Sequence, residues 1–306
     1  MRAEPLSAHL RTLRMIAIAP RHVALLVGIT LIWGLNLVIS KIGMAEIPPI
    51  LFTFLRFSIL AVMLLPVLRI HRGQMSALVV AALLSGAISY SLSFTALSLA
   101  ENVSSIAIAG QLGVPITTLL SVALLGEVVR WRRWTGILLS FAGVFIMGFD
   151  PQIGGRWETL ALAIGAAASS ALGLIAVKKL HGFSPLELQA WLAWISLPVL
   201  FIVSLQVENP DLRSLGDVST KAWGTLIYTA IASSLIAHTG YFYLIQRYPV
   251  TSIAPVTTLS PVFSIIFSVL LLHDVLTPKI LLGGACTLIG VFIISLRERR
   301  IVDTGT

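Results

Sequence analysis

Residues 103–147 recur as residues 250–294 at a constant offset of 147, without a gap, and fifteen of the forty-five pairs are identical. Among them are Ser105-Ile106-Ala107 against Ser252-Ile253-Ala254, Leu124-Leu125 against Leu271-Leu272, and Gly143-Val144-Phe145-Ile146 against Gly290-Val291-Phe292-Ile293. An internal repeat constrains architecture before any single residue does. Each copy reads as two apolar helices joined by a short loop that carries an acid, Glu127 in the first copy and Asp274 in the second. The deciding quantity is the number of membrane crossings between the copies. An odd number inserts the second copy upside down, the arrangement on which many secondary transporters are built.

Of the 306 residues, 57% are hydrophobic and 11% are charged, against about a quarter charged in soluble domains. The apolar residues come in blocks of roughly 20, each long enough to cross about 30 Å of hydrocarbon. Ten blocks are expected, near 22–41, 49–68, 75–97, 103–125, 132–149, 157–178, 185–206, 222–246, 250–272 and 279–297. The loops between them are too short to hold a domain. The expected fold is an all-α membrane protein with ten transmembrane helices as two inverted five-helix repeats. The first repeat covers 21–150 and the second 157–298, with a cytoplasmic extension at 1–20 and a cytoplasmic tail at 299–306. Arg11, Arg14 and Arg21 before the first block resemble the start of a signal peptide. That block is long enough to span, however, and no clear small-residue cleavage site follows it.

The net charge of +8 is a topology signal. With the N-terminus inside, fifteen Lys and Arg fall on the inner side and five on the outer, which is the positive-inside bias and puts both termini in the cytoplasm. The bias inverts between matching loops. Glu127-Val128-Val129-Arg130 falls on the inner side and Asp274-Val275-Leu276-Thr277 on the outer, as opposite insertion requires. Nucleic acid is not an expected partner; the lipid bilayer and a small-molecule solute are. The single cysteine, Cys286, excludes an intrachain disulfide. No P-loop, H-E-x-x-H or G-x-S-x-G pattern is present, so neither nucleotide hydrolysis nor an intramembrane hydrolase is expected, and no cofactor or metal.

Several segments together resemble the EamA-type drug/metabolite transporter superfamily. They are Trp33-Gly34-Leu35-Asn36, Pro48-Pro49 followed by Leu55-Arg56-Phe57, Leu125-Gly126-Glu127, Gly136 with Gly143, Ile253-Ala254-Pro255 through Pro261, and Gly283 with Gly290. The first two look most similar to the cysteine and O-acetylserine exporter branch. The resemblance spans residues 22–297 and implies a ten-helix carrier of the bacterial inner membrane that exports small metabolites. One departure is that the second acid is Asp274, preceded by His273, where the first copy has Gly126-Glu127.

Polar groups inside hydrocarbon are costly and point to function. Arg56 is the only full charge well inside a block, and its planar fork suits a substrate carboxylate; the alternative is snorkelling to the outer interface. His238 ordinarily titrates near pH 6.5, which makes it the candidate relay for a coupling proton; the alternative is a hydrogen bond to a neighbouring helix. Trp33 and Asn36 share a face at one-turn spacing. Tyr90, Gln111, Tyr241, Thr257 and Thr258 complete the candidate substrate-binding set, with Gln111 and Thr258 equivalent in the repeat. Pro115, Pro255 and Pro261 interrupt the equivalent fourth and ninth blocks, and interrupted segments in matching positions mark binding sites in inverted-repeat carriers. Gly136/Gly143 and Gly283/Gly290 read as close-packing positions. No acid lies deep in any block, which counts against organic cations as cargo. The expected function is export of small amino acids or their metabolites by alternating access. The runner-up is export of larger aromatic or apolar solutes, which Trp33, Tyr90, Tyr241 and Tyr243 could line; a non-transporting scaffold is the third.

Overall fold

The computed structural model describes residues 18–126, 128–150, 157–245, 247–248, 253 and 256–296. Among them every regular element is helical; apart from two short turns of helix at Leu65–Val67 and Leu212–Gly216, the segments line up as the following rods. These are α1 (Pro20–Gly43), α2 (Pro49–Met63), α3 (Met75–Ala82, Leu83–Ile88 and Ser89–Leu99 without a break), α4 (Val103–Ala109, a tight turn Gly110–Leu112, then Gly113–Leu125) and α5 (Trp131–Gly148). The second series is α6 (Trp157–Val177), α7 (Pro185–Val203 running into Ser204–Glu208), α8 (Thr220–Tyr228, Thr229–Ala237 and His238–Ile245), α9 (Ser260–Leu272) and α10 (Pro278–Ser295).

Local sequence explains where the rods begin. Proline opens α1, α2, α7 and α10, where its fixed φ fits the helix and its missing N–H costs nothing. Ser184 and Glu187 form a capping box on α7, and Asn102, Ser219 and Thr277 cap α4, α8 and α10 with their side chains.

Six of the rods are long and apolar enough to cross a membrane: α1, α3, α4, α6, α7 and α10. The others depart for visible reasons. The α-helix of α2 stops at Met63 and gives way to a tight turn at Leu65–Val67. α5 opens on Trp131-Arg132-Arg133-Trp134, and α8 is diluted by Lys221, Thr225, Thr229, Ser233, Ser234, His238 and Thr239. The described part of α9 is only 13 residues long. Pro255 and Glu127 lie outside the described residues.

The repeated segments pack antiparallel to one another. Ser104 at the start of α4 meets Ser268 near the end of α9, Oγ to Oγ at 2.9 Å. α5 and α10 pack more closely still. A Cβ on Gly143 would collide with the Gly283 carbonyl oxygen, and one on Gly283 with that of Gly143. Gly136 and Gly290 approach each other in the same reciprocal way. Midway, the Ser140 and Thr287 hydroxyls each donate within their own helix, to the Gly136 and Gly283 carbonyls at 2.8 Å, and each lies within 3.4 Å of the other residue's carbonyl oxygen; these two residues are 147 apart. Repeat equivalents that touch each other mark the pseudo-two-fold axis. The other contacts obey it: α1 on α8 is matched by α6 on α3, α1 on α9 by α6 on α4, and α2 on α7 maps onto itself.

The two ends of the bundle differ. One, carrying Arg21, Arg69, Arg72, Arg130, Lys178, Lys179 and Arg247, is the basic face. Toward the other face lies the largest apolar cluster, including Val38, Met44, Ile47, Phe52, Phe94, Leu97, Ile106 and Leu226. Polar ties roof it. Lys41 Nζ donates to the Leu97, Ser98 and Ala100 carbonyls at 2.9, 2.7 and 2.7 Å, closing the end of α3. Glu208 accepts from the Ile50 and Leu51 amides at 2.6 and 2.9 Å at the start of α2. Asp274 accepts from the Val103 amide at 2.8 Å at the start of α4. Carboxylates at helix N-termini and an ammonium at a C-terminus match the helix dipole.

Candidate functional site

α3 and α8, equivalent in the repeat, both adopt i→i+5 bonding near mid-length, at Leu83–Ile88 and Thr229–Ala237. Such segments are rare, and they cluster at functional sites because the extra residue re-aims side chains. Here they flank a cavity of about 520 Å³. Seven of the residues singled out from the sequence line it: Trp33, Asn36, Arg56, Tyr90, Gln111, His238 and Thr257. Thr258 is not part of the wall; its neighbour Thr257 is. Tyr241 stands behind Trp33, ring centroids 5.3 Å apart, and supports the wall without forming it. Pro115 follows the tight turn Gly110–Leu112 that breaks α4 and brings Gly110 and Gln111 to the cavity. Pro261 occupies the first turn of α9, after the break at residues 258–259.

Arg56 does not snorkel. It is 2% exposed, and its Nε and Nη2 donate to the Ser234 hydroxyl at 3.0 and 2.6 Å. The Tyr90 and Phe94 rings lie 5.4 and 5.7 Å from its guanidinium carbon, within cation–π range. Its Nη1 is buried without a partner. A charged side chain in the middle of an apolar helix costs about 3 kcal/mol on insertion scales, and one hydroxyl with two ring faces offsets only part of that. In the same wall Asn36 Oδ1 is likewise buried and unpaired. One cationic donor and one neutral acceptor therefore wait in a chamber whose described wall holds no carboxylate.

His238 Nδ1 lies 2.8 Å from the Ser233 carbonyl oxygen. A carbonyl only accepts, so Nδ1 carries the hydrogen, and the Trp33 indole nitrogen 3.4 Å from the same atom cannot also donate to it. Nε2 is left as the nitrogen free to exchange a proton.

Sequence reasoning missed the hydroxyls of the wall, Ser89, Ser93, Ser170, Ser233 and Ser260, and the Arg56 acceptor Ser234. A signal was present in α3, where Ser89/Ser93 and Tyr90/Phe94 stand at i, i+4 and share a face.

The EamA-like transporter family matches residues 21–149 and again 157–296. The chain belongs to this family and is a multi-pass membrane transporter. It is 27% identical over 288 residues to a probable amino-acid metabolite efflux pump of Escherichia coli K12, covering 91% of this chain and 96% of that one. It is 26% identical to the protein of the same description in Salmonella typhimurium, over 87% and 91% of the two chains. An uncharacterized transporter of Bacillus subtilis, YvbV, is 26% identical over 91% and 93%. A crystal structure 18% identical in sequence superposes with a TM-score of 0.60 over 89% of this chain and 96% of that chain, a likeness that speaks for the fold alone.

Proposed function

We propose that this protein is a secondary transporter of the bacterial inner membrane, with ten crossings and both termini cytoplasmic, that exports amino acids or amino-acid metabolites by alternating access. The observation that carries the reading is the unpaired Arg56 Nη1, sharing its cavity with the unpaired Asn36 Oδ1. These are the complements of a carboxylate and an ammonium. The bidentate habit of arginine favours a carboxylate over a lone dipole, and a zwitterion would discharge both orphaned groups at once. The efflux-pump relatives support export as the direction. Solutes carrying aromatic rings are the second reading, favoured by Trp33, Tyr90 and Phe94 on the cavity wall.

His238, with Nε2 free beside Trp33, serves in this reading as the proton relay. Proteoliposomes preloaded with labelled amino acids test the proposal. Arg56→Gln lowers efflux at least tenfold at equal protein content, and unaltered efflux sinks the carboxylate anchor. His238→Ala flattens the response of efflux to an imposed pH gradient; a response kept intact dismisses the relay.

A further inference from the structure

A second chamber of about 240 Å³ adjoins the polar cavity and shares Tyr90 and His238 with it. Its wall is apolar, built from Phe57, Leu60, Leu78, Leu174, Leu188 and Leu192 among others. It extends toward the basic face, where Val177 and Pro185 flank the α6–α7 turn. Ser234, the acceptor of Arg56, belongs to this wall too. A carboxylate held at Arg56 Nη1 therefore sits at the mouth of the apolar chamber. Gln189 is the polar exception beyond that mouth. Its Nε2 donates to the Ser234 carbonyl at 2.6 Å, which fixes the orientation of the amide, and its Oε1 is buried without a partner.

We propose that this chamber is the side-chain seat of the cargo, and that the preferred cargo carries a largely apolar side chain bearing one hydrogen-bond donor. The inference rests on Arg56 as the carboxylate anchor. The volume equals about eight water molecules at ~30 Å³ each, room for several methylene groups or a ring and far more than the methyl of alanine. An apolar wall rewards each methylene moved out of water by about fourfold in affinity. The buried Gln189 Oε1 sets the second requirement. A side chain without a donor leaves that oxygen unsatisfied, and sites of this kind discriminate strongly against analogues that lack the group. Continuity with the Arg56 cavity argues for a travelling solute over a lipid tail.

Flux measurements in proteoliposomes with L-alanine, L-norvaline, L-norleucine, L-tryptophan and 1-methyl-L-tryptophan test this. In the wild type, apparent affinity rises along the aliphatic series, and tryptophan is preferred to its N-methyl analogue. Leu174→Trp fills the chamber from a residue that is 48% exposed, so the fold tolerates it. It weakens norleucine and tryptophan at least tenfold and leaves alanine within twofold. Leu188→Ala, which enlarges the chamber, improves the bulkiest members. Gln189→Leu erases the preference for tryptophan over the N-methyl analogue and leaves norleucine unchanged. Equal affinity along the wild-type series, or equal losses for alanine and norleucine in Leu174→Trp, overturns the side-chain seat and leaves the Arg56 anchor standing. No saturable flux of any amino acid by the wild type overturns both.

Discussion

Arg56 stood out in the sequence because an ionised group in an apolar block has no inexpensive explanation. Its partner did not, because a serine in such a helix ordinarily bonds back to its own backbone, as Ser234 also does to Thr229 at 3.1 Å. The same holds for Gln189, whose amide is informative only once the Ser234 carbonyl is known to face it. Ser234→Ala removes the side-chain acceptor of a buried cation, and a loss of about 1–2 kcal/mol in stability is expected, read as a lower melting temperature in detergent. A second residue effect has the opposite sign. Gly126 and His273 end α4 and α9 at equivalent positions, both left-handed, with φ of 68° and 58°. Glycine adopts that conformation freely and histidine does not. His273→Gly should raise stability by about 1 kcal/mol, measured by the same melt.

Among elements, the α5–α10 pair was the most legible, since glycines seven apart in both copies announce close approach. That Gly143 faces Gly283, and Gly136 faces Gly290, follows only from the antiparallel pairing. Gly143→Val meets backbone oxygen, which cannot give way, so the helices must part at a cost of about 1–3 kcal/mol. Gly110→Ala and Gly113→Ala, with open space around them, should leave the melting temperature within a degree or two. The i→i+5 segments of α3 and α8 were not legible: they follow from how the helices pack, not from a residue pattern, and Pro198 inside α7 was passed over in the same way. At the face opposite the basic one, the Ser219 hydroxyl and amide both donate to exposed Glu46 at 2.7 Å. These bonds hold its carboxyl below the usual glutamate range. The tie is therefore complete above the ordinary glutamate pKa of about 4.3 and is lost as pH falls through the lower folded value. Glu46→Gln should make the acid-side fall in melting temperature shallower.

For the molecule as a whole, the gapless offset of 147 foretold two halves related by inversion, and the contacts across α4, α5, α9 and α10 follow that relation. The spans were harder to delimit than the halves, because α2, α8 and α9 carry interruptions that hydropathy alone blurs. Val128 and Val275, equivalent and 91% and 62% exposed, follow α4 and α9 at opposite ends of the bundle. Single cysteines placed there in a Cys286→Ala background should label from opposite compartments. Alternating access, as proposed for this protein, requires a part that does not move. Ser140 and Thr287 sit where the two halves exchange places, so each is the other's counterpart. A covalent tether at such a fulcrum restrains nothing. Ser140→Cys with Thr287→Cys, oxidised, should carry cargo at the untethered rate, whereas Ser104→Cys with Ser268→Cys, set a lever's length away, should bring turnover to a halt.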